Sequence, residues 1–235
     1  MKIEGSVALV TGASRGLGGH FVEQLLSRGA AKVYAAARHP DGITLDGVTP
    51  LRIDLTDQAS IDAAAEAASD ITLLVNNAGV FTPGGVLSAP MADIRAEMDT
   101  NYYGTLAVTR AFAPHLIANA PAAILNVLSV LVWLHPNGFG AYAAAKAAAW
   151  AQTDVVREEL AGRGVDVTAL HVGFMDTDMT ATIEAPKEDP GVVAALALDG
   201  VEHRLIEVLA DQRSRDVKSQ LSVDRGAVAS ASQAP

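Results

Sequence analysis

A chain of 235 residues, 50% of them hydrophobic, is long enough for one large α/β domain with a well-buried core. Its formal net charge of −10 sets up a field that repels DNA, RNA and anionic membrane, which argues against a nucleic-acid or membrane partner. The absence of cysteine excludes disulfides, thiol catalysis and thiolate metal sites.

The chain opens on a short apolar run over 7–10, ended at once by Thr11-Gly12. That is too short for a signal peptide or a membrane span, so a cytoplasmic location is expected. Further short apolar runs follow at 32–37, 51–53, 71–75, 123–128 and 165–171. Uninterrupted runs of this kind read as strands buried on both faces of a parallel sheet. Amphipathic segments at 17–28, 58–69, 91–98, 100–119 and 141–163 separate them and read as helices. Pro114 is expected to kink the fourth helix or to pack against a neighbour. After His171 the pattern loosens. Residues 176–190 read as a mobile polar loop, 191–202 as a helix, 205–209 as a last strand and 211–221 as a last helix. Strand–helix alternation predicts an α/β fold, a Rossmann-like doubly wound parallel sheet with helices on both faces. One domain over 1–221 is expected, with 176–200 as a substrate lid and 222–235 as a frayed tail.

The first strand runs into Thr11-Gly-Ala-Ser-Arg-Gly-Leu-Gly18 and then a helix. Glycines let a backbone approach a pyrophosphate, and the helix N-terminus supplies amide donors and a positive dipole end. An ordinary tight strand–helix turn is the plainer alternative. The second strand ends at Ala36-Ala37-Arg38 with no acidic residue at its tip. Arg38 and Arg15 converging on a 2′-phosphate favour NADP(H) over NAD(H). Two solvated surface arginines would read the same way, and Asp41 lies slightly downstream.

Tyr142 and Lys146 stand at i and i+4 of a predicted helix, on one face and roughly 6 Å apart. An ammonium there is expected to stabilise a tyrosinate, making the phenol a stronger acid than its reference value of about 10. Ser129 lies upstream as a hydroxyl donor. A tunable phenol beside a serine is what carbonyl/alcohol interconversion requires.

Taken together, these motifs resemble the short-chain dehydrogenase/reductase family from about residue 7 to 179. The turn matches TGxxxGxG, with Gly12, Gly16 and Gly18 and, between them, Ser14, Arg15 and Leu17. Asp54-Leu55 matches the acidic residue after the third strand, and Asn76-Asn77-Ala78-Gly79 matches NNAG. Gly173 and Thr177 match a later P-G-x-x-x-T element whose proline is here Val172. The resemblance implies that Arg38, Asp54, Leu55, Asn77, Ala78, Gly79, Gly173 and Thr177 join the turn in holding the cofactor, together with Tyr142 and Lys146. It also implies a catalytic tetrad of Asn101, Ser129, Tyr142 and Lys146. In that tetrad Tyr142 is general acid/base, Ser129 binds the reacting oxygen, Lys146 lowers the tyrosine pKa and binds ribose, and Asn101 holds a relay water.

Leu131, Trp133, Leu134, Phe139, Phe81, Phe174, Met175 and Met179 are expected to line a substrate pocket suited to an apolar ketone or secondary alcohol. Half of them could instead pack the core or a subunit contact. The six histidines show no metal-ligand spacing, and no metal is expected. A homo-oligomer, dimer or tetramer, is expected through the helices that follow Asn101 and Tyr142. Two alternatives stay open: a cofactor-binding regulator without turnover, and an NAD-dependent hydroxy-compound dehydrogenase. Epimerisation on the same site is a third.

Overall fold

Strands that are apolar on both sides need helices on both sides, and the chain supplies them in alternation. The computed structural model describes residues 1–222. Strands β1 (Val7–Thr11), β2 (Lys32–Ala37), β3 (Val48–Arg52), β4 (Leu73–Asn76), β5 (Ala122–Val127), β6 (Val165–His171) and β7 (Glu207–Leu209) form one sheet. Its order is β3-β2-β1-β4-β5-β6-β7, and every pairing is parallel. The helices are α1 (Gly16–Ser27), α2 (Gln58–Ala67), α3 (Met91–Met98), α4 (Thr105–Ala118), α5 (Gly140–Glu159), α6 (Pro190–Glu202) and α7 (Gln212–Ser219).

Period-2 alternation sorts the strand side chains to two cores. Ala8, Val10, Leu73, Val75, Ala123 and Leu125 face α1 and α6, where Phe21, Leu25, Val193 and Leu198 are buried. Leu9, Leu74 and Ile124 face α2, α4 and α5, against Ile61, Phe112, Leu116 and Val156. Phe21 and Phe112 are wholly buried, and truncating either to alanine is expected to cost about 3–5 kcal/mol.

The elements appear where the sequence places them, with instructive shifts. β3 begins earlier than expected, at Val48, because it pairs residue for residue with β2 from Val33 to Ala37. It carries Pro50, which an edge strand tolerates because one side needs no N–H donor. The helix expected over 100–119 is divided: a π turn over Asp99–Gly104 leads into α4. Pro114 lies inside α4 and is exposed, so it does not pack against a neighbour. The loop over 176–190 is tied at its base. Met175 bridges Glu188, the Asp176 amide donates to Glu188 O at 3.0 Å, and the Glu188 amide donates to Phe174 O at 2.8 Å. The tail expected over 222–235 lies, from residue 223 onward, outside the described residues.

Chain order reverses between β1 and β4, which opens a crevice at the carboxyl ends of those strands.

Candidate active site

The crevice is built first from the turn after β1. Gly12 has φ +67°, and a Cβ there would lie 2.9 Å from Ala78 Cα. A Cβ on Gly18 would lie 2.1 Å from the Gly12 carbonyl oxygen. Only glycine lets these backbone segments approach so closely. Thr11 locks the turn to the segment after β4. Its Oγ1 accepts from the amides of Asn77 (3.0 Å) and Ala78 (3.1 Å), while Asn77 Nδ2 donates to Thr11 O at 2.9 Å.

Helix α1 starts without help. Arg15 at its N-cap is extended and offers no side-chain cap, and the first turn holds no acidic residue. By contrast, Asp57, Asp189 and Asp211 cap α2, α6 and α7. The orphan amides and positive dipole end of α1 therefore meet the crevice without an anion from the chain itself. A glycine cradle in front of an uncapped helix fits a pyrophosphate.

Gly12, Ser14, Arg15, Gly16, Leu17, Gly18, Arg38, Asp54, Leu55, Asn77, Ala78, Gly79, Gly173 and Thr177 line one cleft of about 610 Å³. Ser129, Tyr142 and Lys146 line the same cleft. Arg15 and Arg38 stand at it as expected. The Arg15 guanidinium meets Asp178 Oδ2 at 3.3 Å, both side chains being largely exposed. Asp54 Oδ1 accepts from the amide (2.9 Å) and hydroxyl (2.7 Å) of Thr56. These bonds hold the Asp54 carboxyl below the usual carboxylate range, and Arg38 adds to the effect.

Behind the chemistry lies a buried polar ladder. Asn76 Nδ2 donates to Asn126 Oδ1 (2.8 Å) and Thr109 Oγ1 (3.1 Å), and Asn126 Nδ2 donates to Thr153 Oγ1 (2.9 Å). It ties β4, α4, β5 and α5 together, and so fixes the strand ends from which Asn77 and Ser129 emerge. Ser129 caps a 3₁₀ turn over Val130–Val132, its Oγ accepting from the Leu131 amide at 3.1 Å. That bond uses an acceptor site and leaves the hydroxyl hydrogen free to donate.

Asn101 does not line the cleft. Buried in the π turn, it holds Val80 at both ends: Oδ1 accepts from the Val80 amide (3.1 Å) and Nδ2 donates to its carbonyl (2.9 Å). A Cβ on Gly79 would lie 2.7 Å from Asn101 Oδ1 and 3.7 Å from Lys146 Nζ, which places both groups beside that glycine.

The expected lowering of the Tyr142 pKa by Lys146 does not appear in the chain alone. Lys146 Nζ donates to Val127 O at 2.9 Å and stands 5.7 Å from the centroid of the Tyr142 ring. Burial pushes Tyr142 well above the ordinary phenol value, and the Glu97 carboxyl pushes it further. Burial also pulls Lys146 down to about 8, so the lysine keeps most of its charge at neutral pH and loses it just above.

The substrate side is an aromatic wall. Phe81 stacks on Phe139 at 4.9 Å and meets Tyr142 edge-on at 5.6 Å, and Phe139 leans on Phe174 at 5.9 Å. Leu131, Phe139, Phe174, Met175 and Met179 line the cleft, Phe81 with them. Trp133 does not, which corrects its assignment to the pocket. The 3₁₀ turn rotates it inward, where it stacks on His171 at 4.1 Å and crosses Trp150 at 5.7 Å. Sequence reading missed Thr11 as the lock of the turn, although it stands in the glycine motif itself. It also missed Arg213, whose guanidinium lies 5.5 Å over Phe174 from α7 and carries no local signal.

A family model described as short chain dehydrogenase matches residues 6–188. The chain is 34% identical over 193 residues to a 3-oxoacyl-[acyl-carrier-protein] reductase of Vibrio cholerae, covering 78% of this chain and 79% of that protein. It is 33% identical over 206 residues to a 1-deoxy-11-beta-hydroxypentalenate dehydrogenase of Streptomyces avermitilis, covering 81% and 76%. A crystal structure of a short chain dehydrogenase from Burkholderia cenocepacia in complex with NADP superposes with TM-score 0.94 at 39% identity, covering 100% of both chains.

Proposed function

The chain belongs to the short chain dehydrogenase family of oxidoreductases, and from that premise we propose that it is an NADP(H)-dependent enzyme that interconverts the ketone and secondary alcohol of a largely apolar small molecule. One observation carries the reading: the uncapped, glycine-cradled start of α1 and the Ser129, Tyr142 and Lys146 side chains share a single cleft. The bound nicotinamide would supply or accept the hydride.

The chain's own groups do the rest. The α1 amides, Gly12 and Gly16 would hold the pyrophosphate. Arg15 and Arg38 would hold the 2′-phosphate, a role supported by the NADP named with the Burkholderia relative. Tyr142 Oη gives its proton to the carbonyl oxygen during reduction and takes one from the alcohol in reverse. Ser129 Oγ, already satisfied as an acceptor by Leu131, donates to the same oxygen and stabilises the charge that develops there. Lys146 would orient the ribose, and its charge, which an anionic cofactor would favour, lowers the cost of a tyrosinate. Asn101 sets Val80 and Gly79 against the nicotinamide side. The wall of Phe81, Phe139 and Phe174 supports an apolar substrate.

We place the assembly surface on the outer faces of α4 and α5, where Ala148 and Ala151 allow close approach and Val155 is exposed. A monomer by light scattering would contradict that placement.

The test is reduction of an aryl ketone such as acetophenone, followed by NADPH absorbance, in the wild type and in Tyr142→Phe. The expected outcome is turnover that disappears in the variant while NADPH affinity persists. Turnover in both sinks the role of Tyr142. Unchanged cofactor binding with no turnover of any ketone or alcohol favours the silent regulator.

A further inference from the structure

Glu97 lies on α3, and the reaction described above makes no use of it. Its side chain is wholly buried. Oε1 accepts from the Thr82 amide, and Oε2 is buried with no hydrogen-bond partner among the described residues. A charged carboxylate with one oxygen unmet in the interior is costly. Burial therefore keeps the proton on Glu97 above the usual carboxylate range, against the Thr82 bond that favours the anion, and Asp93 one turn back adds to it.

The position of this carboxyl matters more than its burial. Thr82 follows Phe81, whose ring meets Tyr142 edge-on. Val80 is held at both ends by Asn101. Two side chains, four residues apart on one helical face, thus hold the two residues that flank Phe81, whose ring braces the phenol. Helix α3 packs directly on α5, which carries Tyr142. The charged and titratable groups facing Glu97 are Asp93 from its own helix and Tyr142 from α5. The clamped segment, Val80-Phe-Thr-Pro-Gly-Gly85, contributes none. Lys146 is turned toward Val127.

We propose that Glu97 is a positioning residue for Tyr142: it clamps Thr82 so that Phe81 braces the phenol ring, and its carboxyl and that phenol form a coupled pair of acids. The inference rests on Tyr142 being the proton donor of the site. Whichever member of the pair ionises first makes the second proton harder to remove. Removing the charge of Glu97 while keeping its shape should therefore let Tyr142 ionise at lower pH.

Glu97→Gln keeps an acceptor for the Thr82 amide and cannot ionise. Glu97→Leu removes the acceptor and strands that amide. The measurement is kcat/KM for NADP⁺-dependent oxidation of 1-phenylethanol across about pH 6 to 11, where the rising limb reports the base that takes the alcohol proton. Glu97→Gln is expected to keep neutral-pH ketone reduction within about twofold and to move the rising limb down by about half a pH unit or more. Glu97→Leu should lose about tenfold or more of kcat, because Thr82 is no longer clamped and Phe81 no longer braces the phenol. A merely structural glutamate would leave the limb of Glu97→Gln where it is in the wild type, and that result overturns the proposal.

Carbon-13 NMR with ring-labelled tyrosine reads the same coupling without turnover, the Tyr142 signal being the one lost in Tyr142→Phe. An earlier onset of its titration in Glu97→Gln, in a protein that turns over no substrate, keeps the coupling and removes the catalytic reading. An unchanged onset in an active enzyme does the reverse.

Discussion

Lys146 directs its ammonium at the carbonyl of Val127, 2.9 Å away, and not at the phenol of Tyr142. Burial lowers this lysine to about 8. The free protein therefore loses the Lys146 proton as pH rises through about 8. An anionic cofactor prefers the charged form, so binding takes up a proton above that pH. NADPH affinity is expected to be full below about pH 8 and to fall as pH rises past it. Calorimetric titration at about pH 7 and pH 9.5 checks this, and Lys146→Met should bind more weakly and without that pH dependence.

Arg15 and Arg38 should act on the cofactor's phosphate and not on its nicotinamide. Charge-assisted hydrogen bonds contribute about 1.5–3 kcal/mol, so replacing either arginine by alanine should weaken NADPH roughly tenfold to a hundredfold and leave NADH nearly unchanged. Asp178 competes for Arg15 across the mouth of the cleft. Because both partners are exposed, Asp178→Asn should tighten NADPH by no more than about fivefold. Thermal unfolding with saturating NADPH, NADH or neither reads all three variants, since ligand at about a hundred times Kd adds roughly 2.7 kcal/mol.

His171 should set the acid limit of stability. It is wholly buried between Trp133 and Trp150, with Nε2 3.1 Å from Glu207 Oε1 but not aligned for a hydrogen bond. Burial lowers it from 6.5 to about 4. The unfolded chain therefore binds this proton more readily. Stability is intact above about pH 6.5 and declines as pH falls to about 4, by up to about 3 kcal/mol from this group. Denaturant unfolding followed by tryptophan fluorescence checks it. His171→Phe should flatten the slope in that window, and an unchanged slope would remove His171 from the account.

The aromatic wall should decide which ketones fit. Phe139→Ala removes the middle ring of Phe81, Phe139 and Phe174. It is expected to raise KM for aryl ketones about tenfold or more and to affect short aliphatic ketones far less, as steady-state kinetics on the two series would show.

Much of this was legible in the chain. The apolar runs gave the central strands, because a strand buried on both faces needs no tertiary information to be recognised. The glycine turn, Ser129, Tyr142 and Lys146 met in one cleft for the same reason: each sits at a strand end or on a helix whose position the alternation already determines. What was misread depends on direction, which sequence spacing does not encode. Trp133 is close to Ser129 in sequence, yet the 3₁₀ turn between them points it at His171. Tyr142 and Lys146 share a helical face, yet the lysine finds a backbone carbonyl and both groups are desolvated. The π turn hides inside an ordinary helical pattern, and it ends at Gly104, where a Cβ would lie 2.5 Å from Leu55 Cβ. Glu97 carries no signal in the sequence, because its burial is created by a loop fifteen residues earlier.

The most direct measurement of the central claim follows the hydride itself. NADPH carrying deuterium in place of both hydrogens at the transferring nicotinamide carbon is incubated with acetophenone and the protein, and the alcohol is analysed by mass spectrometry. The expected result is one deuterium on the carbinol carbon with the wild type and no alcohol above background with Tyr142→Phe. Alcohol without deuterium, or equal labelled alcohol from the variant, would contradict the account.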